Sequence, residues 1–164
     1  MPARIWRHLF CDRATARRAF PQAALDRIAE VTRAGEAKHS GQVRFVVEAS
    51  LPLIRVFHGV DARQRALELF AQLGVWDTAA NNGVLVYLLL ADQRVEILAD
   101  RGINTQVGPE TWRGICAAME KAFAAGQFAD GAHEGIQAIS GLLQAHFPVI
   151  GEKTNELPDA PVML

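Results

Sequence analysis

Asn81-Asn82-Gly83-Val84-Leu85-Val86-Tyr87-Leu88-Leu89-Leu90-Ala91-Asp92-Gln93-Arg94-Val95-Glu96-Ile97-Leu98-Ala99-Asp100-Arg101-Gly102 decides the fold. Asn-Asn-Gly is turn chemistry. The unbroken apolar run Val84 to Leu90 behind it predicts a strand covered on both faces. Ala91 to Arg94 is a short polar break, and Val95 to Ala99 reads as a second strand with partial alternation. So short a gap leaves an antiparallel hairpin as the economical connection.

Working outward, Pro21 opens a helix over about residues 21–38, with Leu25, Ile28 and Val31 at helical spacing. Ser40-Gly41 breaks it, and the β-branched and aromatic stretch 42–50 predicts a strand. Residues 53–58 read as an apolar loop or short strand. Asp61 is placed to N-cap a helix over 62–73, which Gly74 stops. Pro109 opens a helix with Trp112, Ile115, Cys116, Met119 and Phe123 inward. A last helix starts near Asp130, buries Ile136, Ile139, Leu142, Leu143 and Phe147, and stops at Pro148. Residues 149–164 have no periodicity and read as a loop or extended arm. The order helix, strand, helix, strand, strand, helix, helix predicts an α/β fold: a small mixed sheet covered by helices on both faces, its first two strands parallel. The expected division is an N-terminal amphipathic segment 1–20, a single α/β domain 21–148 and a C-terminal tail 149–164.

The chain has 164 residues, a normal size for one domain, and its 17 basic and 18 acidic residues give no global attraction to nucleic acid. The basic patch Arg13, Arg17, Arg18 is too small to change that. Cys11 and Cys116 form no Cys-x-x-Cys pair and read as reduced thiols, Cys116 as a buried structural one. No segment approaches the ~18 apolar residues of a membrane span. A secretory signal is not expected either, so the sequence points to the cytoplasm. Residues 1–10 could form a short amphipathic helix suited to a membrane surface. The preferred alternative is that Trp6, Leu9 and Phe10 pack on the domain. Trp76 is expected to cover the sheet edge.

The topology sorts the polar residues into two poles. The start of the second strand and the end of the third lie at one end of the sheet, which gathers Asn81, Asn82, Asp100, Arg101 and Asn104, with His39, Ser40 and Gly41 near. The other end holds Glu48, Asp61 and Asp92. The first pole offers one carboxylate, one guanidinium and several amides, a set suited to orienting a small anion or giving oxygens to a hard cation. A turn plus an exposed Asp100–Arg101 ion pair is the purely structural alternative. Glycine-rich phosphate loops, the Gly-x-Ser-x-Gly elbow and His-Glu-x-x-His are absent. None of the five histidines pairs with another at metal-ligand spacing.

Asn81 to Tyr87, the break Asp92-Gln93-Arg94, Val95-Glu96-Ile97, Asp100-Arg101-Gly102-Ile103 and Ala122 to Phe128 together resemble the TPM domain family. The tail Asn155 to Asp159 is similar to the end of a short bacterial branch of it. The resemblance spans about residues 22–160. It implies a compact α/β fold. It also implies possible activities: a thylakoid-lumen relative linked to photosystem II repair has acid phosphatase activity, animal relatives are membrane-anchored receptor auxiliaries, and some bacterial relatives bind calcium. Many bacterial members carry a signal peptide and a membrane tail; neither is expected from this sequence. Where many members have a glycine-containing end to the third strand, this chain has Ala99-Asp100.

The expectation is therefore a non-catalytic binding or assembly module for a protein partner, membrane-associated or not, or for a small ion. Calcium or magnesium would sit at Asp100, with Asn81, Asn82 and Asn104 adding oxygens. Glu156, Asp159, Trp6 and Phe10 are candidate contact residues. The alternative is a phosphatase-like hydrolase, divalent-metal dependent, with Arg101 holding phosphate and Asp100 orienting water or a metal.

Overall fold

The computed structural model describes residues 2–151 and 154–164; residues 1, 152 and 153, which the sequence assigns to the N-terminal segment and the tail, lie outside it. Its elements in chain order are α1 (Pro2–Phe10), α2 (Arg13–Ala19), α3 (Gln22–Glu36), β1 (Gln42–Glu48), α4 (Leu53–Phe57), α5 (Ala62–Gln72), β2 (Gly83–Leu89), a 3-10 turn (Leu90–Asp92), β3 (Arg94–Ala99), α6 (Arg101–Asn104), α7 (Pro109–Ala124), α8 (Phe128–His146) and β4 (Val162–Met163). The sheet runs β3-β2-β1-β4. β1 is parallel to β2 and β4, and β3 is antiparallel to β2.

Alternation along β2 explains why every residue of it is buried. Val84, Val86 and Leu88 join the core under α3, α7 and α8, with Ile28, Met119, Phe123, Ile136 and Leu143. Leu85, Tyr87 and Leu89 face the opposite side, packed on Val56, Ala66 and Leu69 of α4 and α5. The expected helices on both faces are present. Asp61 caps α5 as expected: its side chain accepts from the Gln64 amide (2.8 Å), and the Gln64 side-chain oxygen accepts from the Asp61 amide (3.1 Å).

The margins of the sheet are β3 and, beyond β1, the C-terminal arm. The arm from Glu156 to Leu164 runs along β1. The Gln42 side-chain oxygen accepts from the Glu156 and Leu157 amides (3.0 and 2.9 Å), the Arg44 guanidinium donates to the Pro158 and Ala160 carbonyls, and the Leu164 amide donates to the Val47 carbonyl (2.9 Å). The predicted arm thus contributes a fourth strand. At the β3 margin the Glu120 carboxylate accepts from the Val95 amide (3.0 Å) and Arg63 donates to the Ile97 carbonyl (3.0 Å).

Three expectations are corrected. Residues 53–57 are a short helix rather than a loop or strand; Pro52 starts it, and Val56 alone of its side chains is fully buried. Trp76 is exposed instead of covering the sheet edge. Gly74, at φ 66°, turns the chain so that Val75 packs inward, where its carbonyl abuts Gly83 so closely that a Cβ there would lie 2.0 Å from it. Trp6, Leu9 and Phe10 do not pack on the domain; all three are exposed. The N-terminal segment is nevertheless attached, through Ile5 in the smaller core and Phe20 in the larger.

The attachment has a polar half. Arg4 donates to Asp92 through Nε (3.0 Å) and Nη2 (2.8 Å), and His8 Nε2 lies 3.1 Å from Asp92 Oδ1. Burial pushes the Asp92 carboxyl up, but the Arg4 hydrogen bonds and the His8 contact outweigh it, and the net shift is downward. A depressed carboxylate stabilises the fold above its unfolded-state pKa of about 4, and that contribution is lost as pH falls through the lower folded value. Hydrogen exchange of the α1 amides, corrected for intrinsic rate, is therefore expected to speed up selectively in acid. Asp92→Asn should produce the same loosening at neutral pH. Unchanged α1 protection in that variant would show that the apolar contacts alone hold the helix.

Candidate functional site

The richer polar pole forms where β2 begins and β3 ends. Asn81 takes a left-handed backbone (φ 51°), which asparagine tolerates better than most residues. The Asn82 amide donates to the buried Thr78 hydroxyl (3.1 Å) and its Nδ2 to Ser40 Oγ (3.2 Å), while its carbonyl accepts from the Gln42 amide at the start of the β1–β2 ladder (3.4 Å). Asp100 is tied to the same turn by its amide, which donates to the Gly83 carbonyl (2.9 Å). Its Oδ1 accepts from the Arg101 amide (2.6 Å) and caps α6. Gly102 sits so near the Ala80 and Asn81 carbonyls that a Cβ would lie 2.8 and 2.4 Å from them.

Two acceptor oxygens at this pole are buried without a protein donor: Asn82 Oδ1 and Asp100 Oδ2. The arm reaches the same end, where Glu156 accepts from the Ala79 amide (3.0 Å). A hollow of about 400 Å³ adjoins it, lined by Ser40, Ala79, Ala80, Ile150 and Glu156. Among the described residues no three His, Cys, Asp or Glu side chains gather as a metal site.

Of the residues the sequence nominates, Asn81, Asn82 and Asp100 come together. Arg101 and Asn104 are exposed, and Asn104 lines a different groove, beside β3, with Arg63, Trp112 and Cys116. Thr78 and Ser40, which orient Asn82, gave no signal as site residues beyond Ser40's place next to the pole. Asp159 is engaged by Arg33 (3.3 Å) and Asn155 (3.1 Å), so its part in the chain is at least partly internal.

The other pole is denser in charge than the sequence suggested, but its groups satisfy each other. Arg65 grips Glu48 with two bonds (2.9 and 3.1 Å), and the Tyr87 hydroxyl donates to the same carboxylate (2.6 Å). Arg65 also reaches Glu68 (3.1 Å), which Arg55 pairs from the other side. Both cysteines are free. Burial raises the Cys11 pKa and pushes that of Cys116 to about 11, so neither has thiolate character at neutral pH.

The model of the TPM domain matches residues 16–142. This chain belongs to the TPM domain family. The TPM fold recurs in the solution NMR structure of the BA42 protein from the psychrophilic bacterium Bizionia argentinensis. That protein is 27% identical, and the similarity covers 87% of this chain and 93% of the other, with a TM-score of 0.76. No curated protein matches this TPM domain. No helix among the described residues is long and apolar enough to cross a membrane.

Proposed function

We propose that this TPM domain is a non-catalytic binding module, and that the Asn82–Asp100 pole holds a small hard cation, calcium or magnesium, on its own or as the bridge to a protein partner. The observation that carries the reading is the pair of buried oxygens, Asn82 Oδ1 and Asp100 Oδ2, that no protein donor reaches. Each such acceptor costs about 1–3 kcal/mol unless something satisfies it. Hard cations take oxygen ligands, and the Ala80 and Asn81 carbonyls beside Gly102 are further candidates. A bound cation would neutralise Asp100 and link the start of β2 to the end of β3. One carboxylate puts the affinity at the weak end of the range for such sites.

The hydrolase alternative has a narrower basis: Arg101 is exposed next to Asp100 and free to meet a small anion such as phosphate. Asp100, however, already spends one oxygen on the Arg101 amide. If a phosphatase turnover exists and Asp100→Asn leaves it unchanged, that role for Asp100 is ruled out.

Thermal denaturation with calcium or magnesium tests the main reading. At ~100 times the dissociation constant a ligand stabilises by about 2.7 kcal/mol, a rise of roughly 5–10 °C for a domain of this size. The rise is expected in the native chain and absent in Asp100→Asn. A melting temperature that neither chelator nor millimolar cation moves would overturn the cation site.

A further inference from the structure

A helix on a protein surface normally turns its apolar side inward. α1 departs from this: of its large apolar side chains Ile5 alone packs inward. Its polar side chains Arg4 and His8 face the body: Arg4 bonds Asp92, His8 Nε2 lies 3.1 Å from that carboxylate, and His8 Nδ1 accepts from the Leu51 amide (2.9 Å). Its other side carries Trp6 (58% exposed), Leu9 (51%) and Phe10 (72%). The Trp6 and Phe10 rings stack with centroids 5.7 Å apart. α4, packed beside α1, leaves Ile54 and Phe57 exposed as well (62% and 57%). Large apolar side chains concentrated this way on one region mark a contact surface.

Charge indicates what covers it. Residues 2–18 carry Arg4, Arg7, Arg13, Arg17 and Arg18 against Asp12 alone, in a chain whose net charge is −1. Arg7, Arg13, Arg17 and Arg18 are all exposed. We infer that the outward face of α1 is a membrane-contact surface that lies on anionic lipid, with Trp6 and Phe10 at headgroup depth and the α1–α2 arginines on the lipid phosphates. Tryptophan favours that interface, and basic residues near it add attraction to an anionic leaflet. The exposed side chains of this helix face other than Arg7 offer no polar atoms, apart from the Trp6 indole N–H, to fix the orientation of a folded partner. The inference is independent of the cation pole.

The test is co-sedimentation of the full chain with vesicles of phosphatidylcholine, with and without phosphatidylglycerol, at low and high salt. The native chain is expected to pellet with the phosphatidylglycerol vesicles at low salt and to be released by high salt. W6S/F10S should weaken binding roughly tenfold or more. R13E/R17E should weaken it while leaving the apolar face intact. Because these side chains are exposed, both variants should keep the native melting temperature, which confirms that they fold. No pelleting of the native chain at low salt, or equal pelleting by W6S/F10S, overturns the inference. So does a native dimer in sedimentation velocity that W6S/F10S converts to monomer, since a second copy would then cover the face.

Discussion

Glu48→Ala is expected to destabilise the fold by about 3–5 kcal/mol, or roughly 6–20 °C in melting temperature. Glu48 and Arg65 are largely shielded from water, with side chains 8% and 14% exposed, and their two-bond fork has the geometry in which such pairs are strongest. Tyr87 sits at the centre of β2, fully buried, and donates to the same carboxylate. Burial first, and then the neighbouring Glu48 charge, raise the tyrosine pKa, so it stays a protonated donor. Removing the carboxylate leaves a buried hydroxyl without an acceptor and a guanidinium with Glu68 as its remaining acidic partner. Urea unfolding checks this. A loss below about 1 kcal/mol would mean that water screens the cluster as it does a surface pair. The double variant Glu48→Leu/Arg65→Met should recover much of the loss, because an apolar pair has no stranded charge.

Phe20→Ala is the second large effect, again about 3–5 kcal/mol. Phe20 lies between α2 and α3 and is 1% exposed. Its ring meets Phe45 (6.0 Å), Phe123 (6.0 Å, edge-on) and Phe128 (5.4 Å, edge-on), joining the N-terminal segment to β1, α7 and α8. Truncation opens a cavity among rings that are also held by the sheet, so the site cannot fully collapse. The midpoint of urea unfolding should fall with little change in its slope. A small cost would instead support an independent segment ending near residue 20, the division the sequence suggested.

The order of strands and long helices was legible because β2 and β3 are long enough to show their periods and are bracketed by turn residues. The placing of Asp100 beside the Asn82-Gly83 turn followed from antiparallel geometry alone. Asn104 was misplaced because α6 is a single turn that rotates it toward the β3 groove. α4 was ambiguous because four apolar residues around Arg55, with Ile54 and Val56 among them, fit either period. β4 could not be seen: two residues carry no pattern, and their pairing is set by Gln42 and Arg44, more than a hundred positions away. The facing of α1 was likewise hidden. Amphipathicity shows that a helix has two sides, but the inward one was chosen by Asp92, 88 residues distant.

The way the margins of the sheet are built has a colloidal consequence. Proteins far from zero net charge keep apart by mutual repulsion, and this chain, at −1, has almost none. An uncovered strand in such a molecule would template the next copy. Here Glu120 and Arg63 occupy hydrogen-bonding groups on one margin, and at the other the arm from Glu156 to Leu164 covers β1 and presents only the two-residue β4 as an edge strand. Freedom from strand-to-strand clumping therefore rests on a few bonds at the rim, and should persist at salt concentrations that would precipitate a protein kept dispersed by its charge.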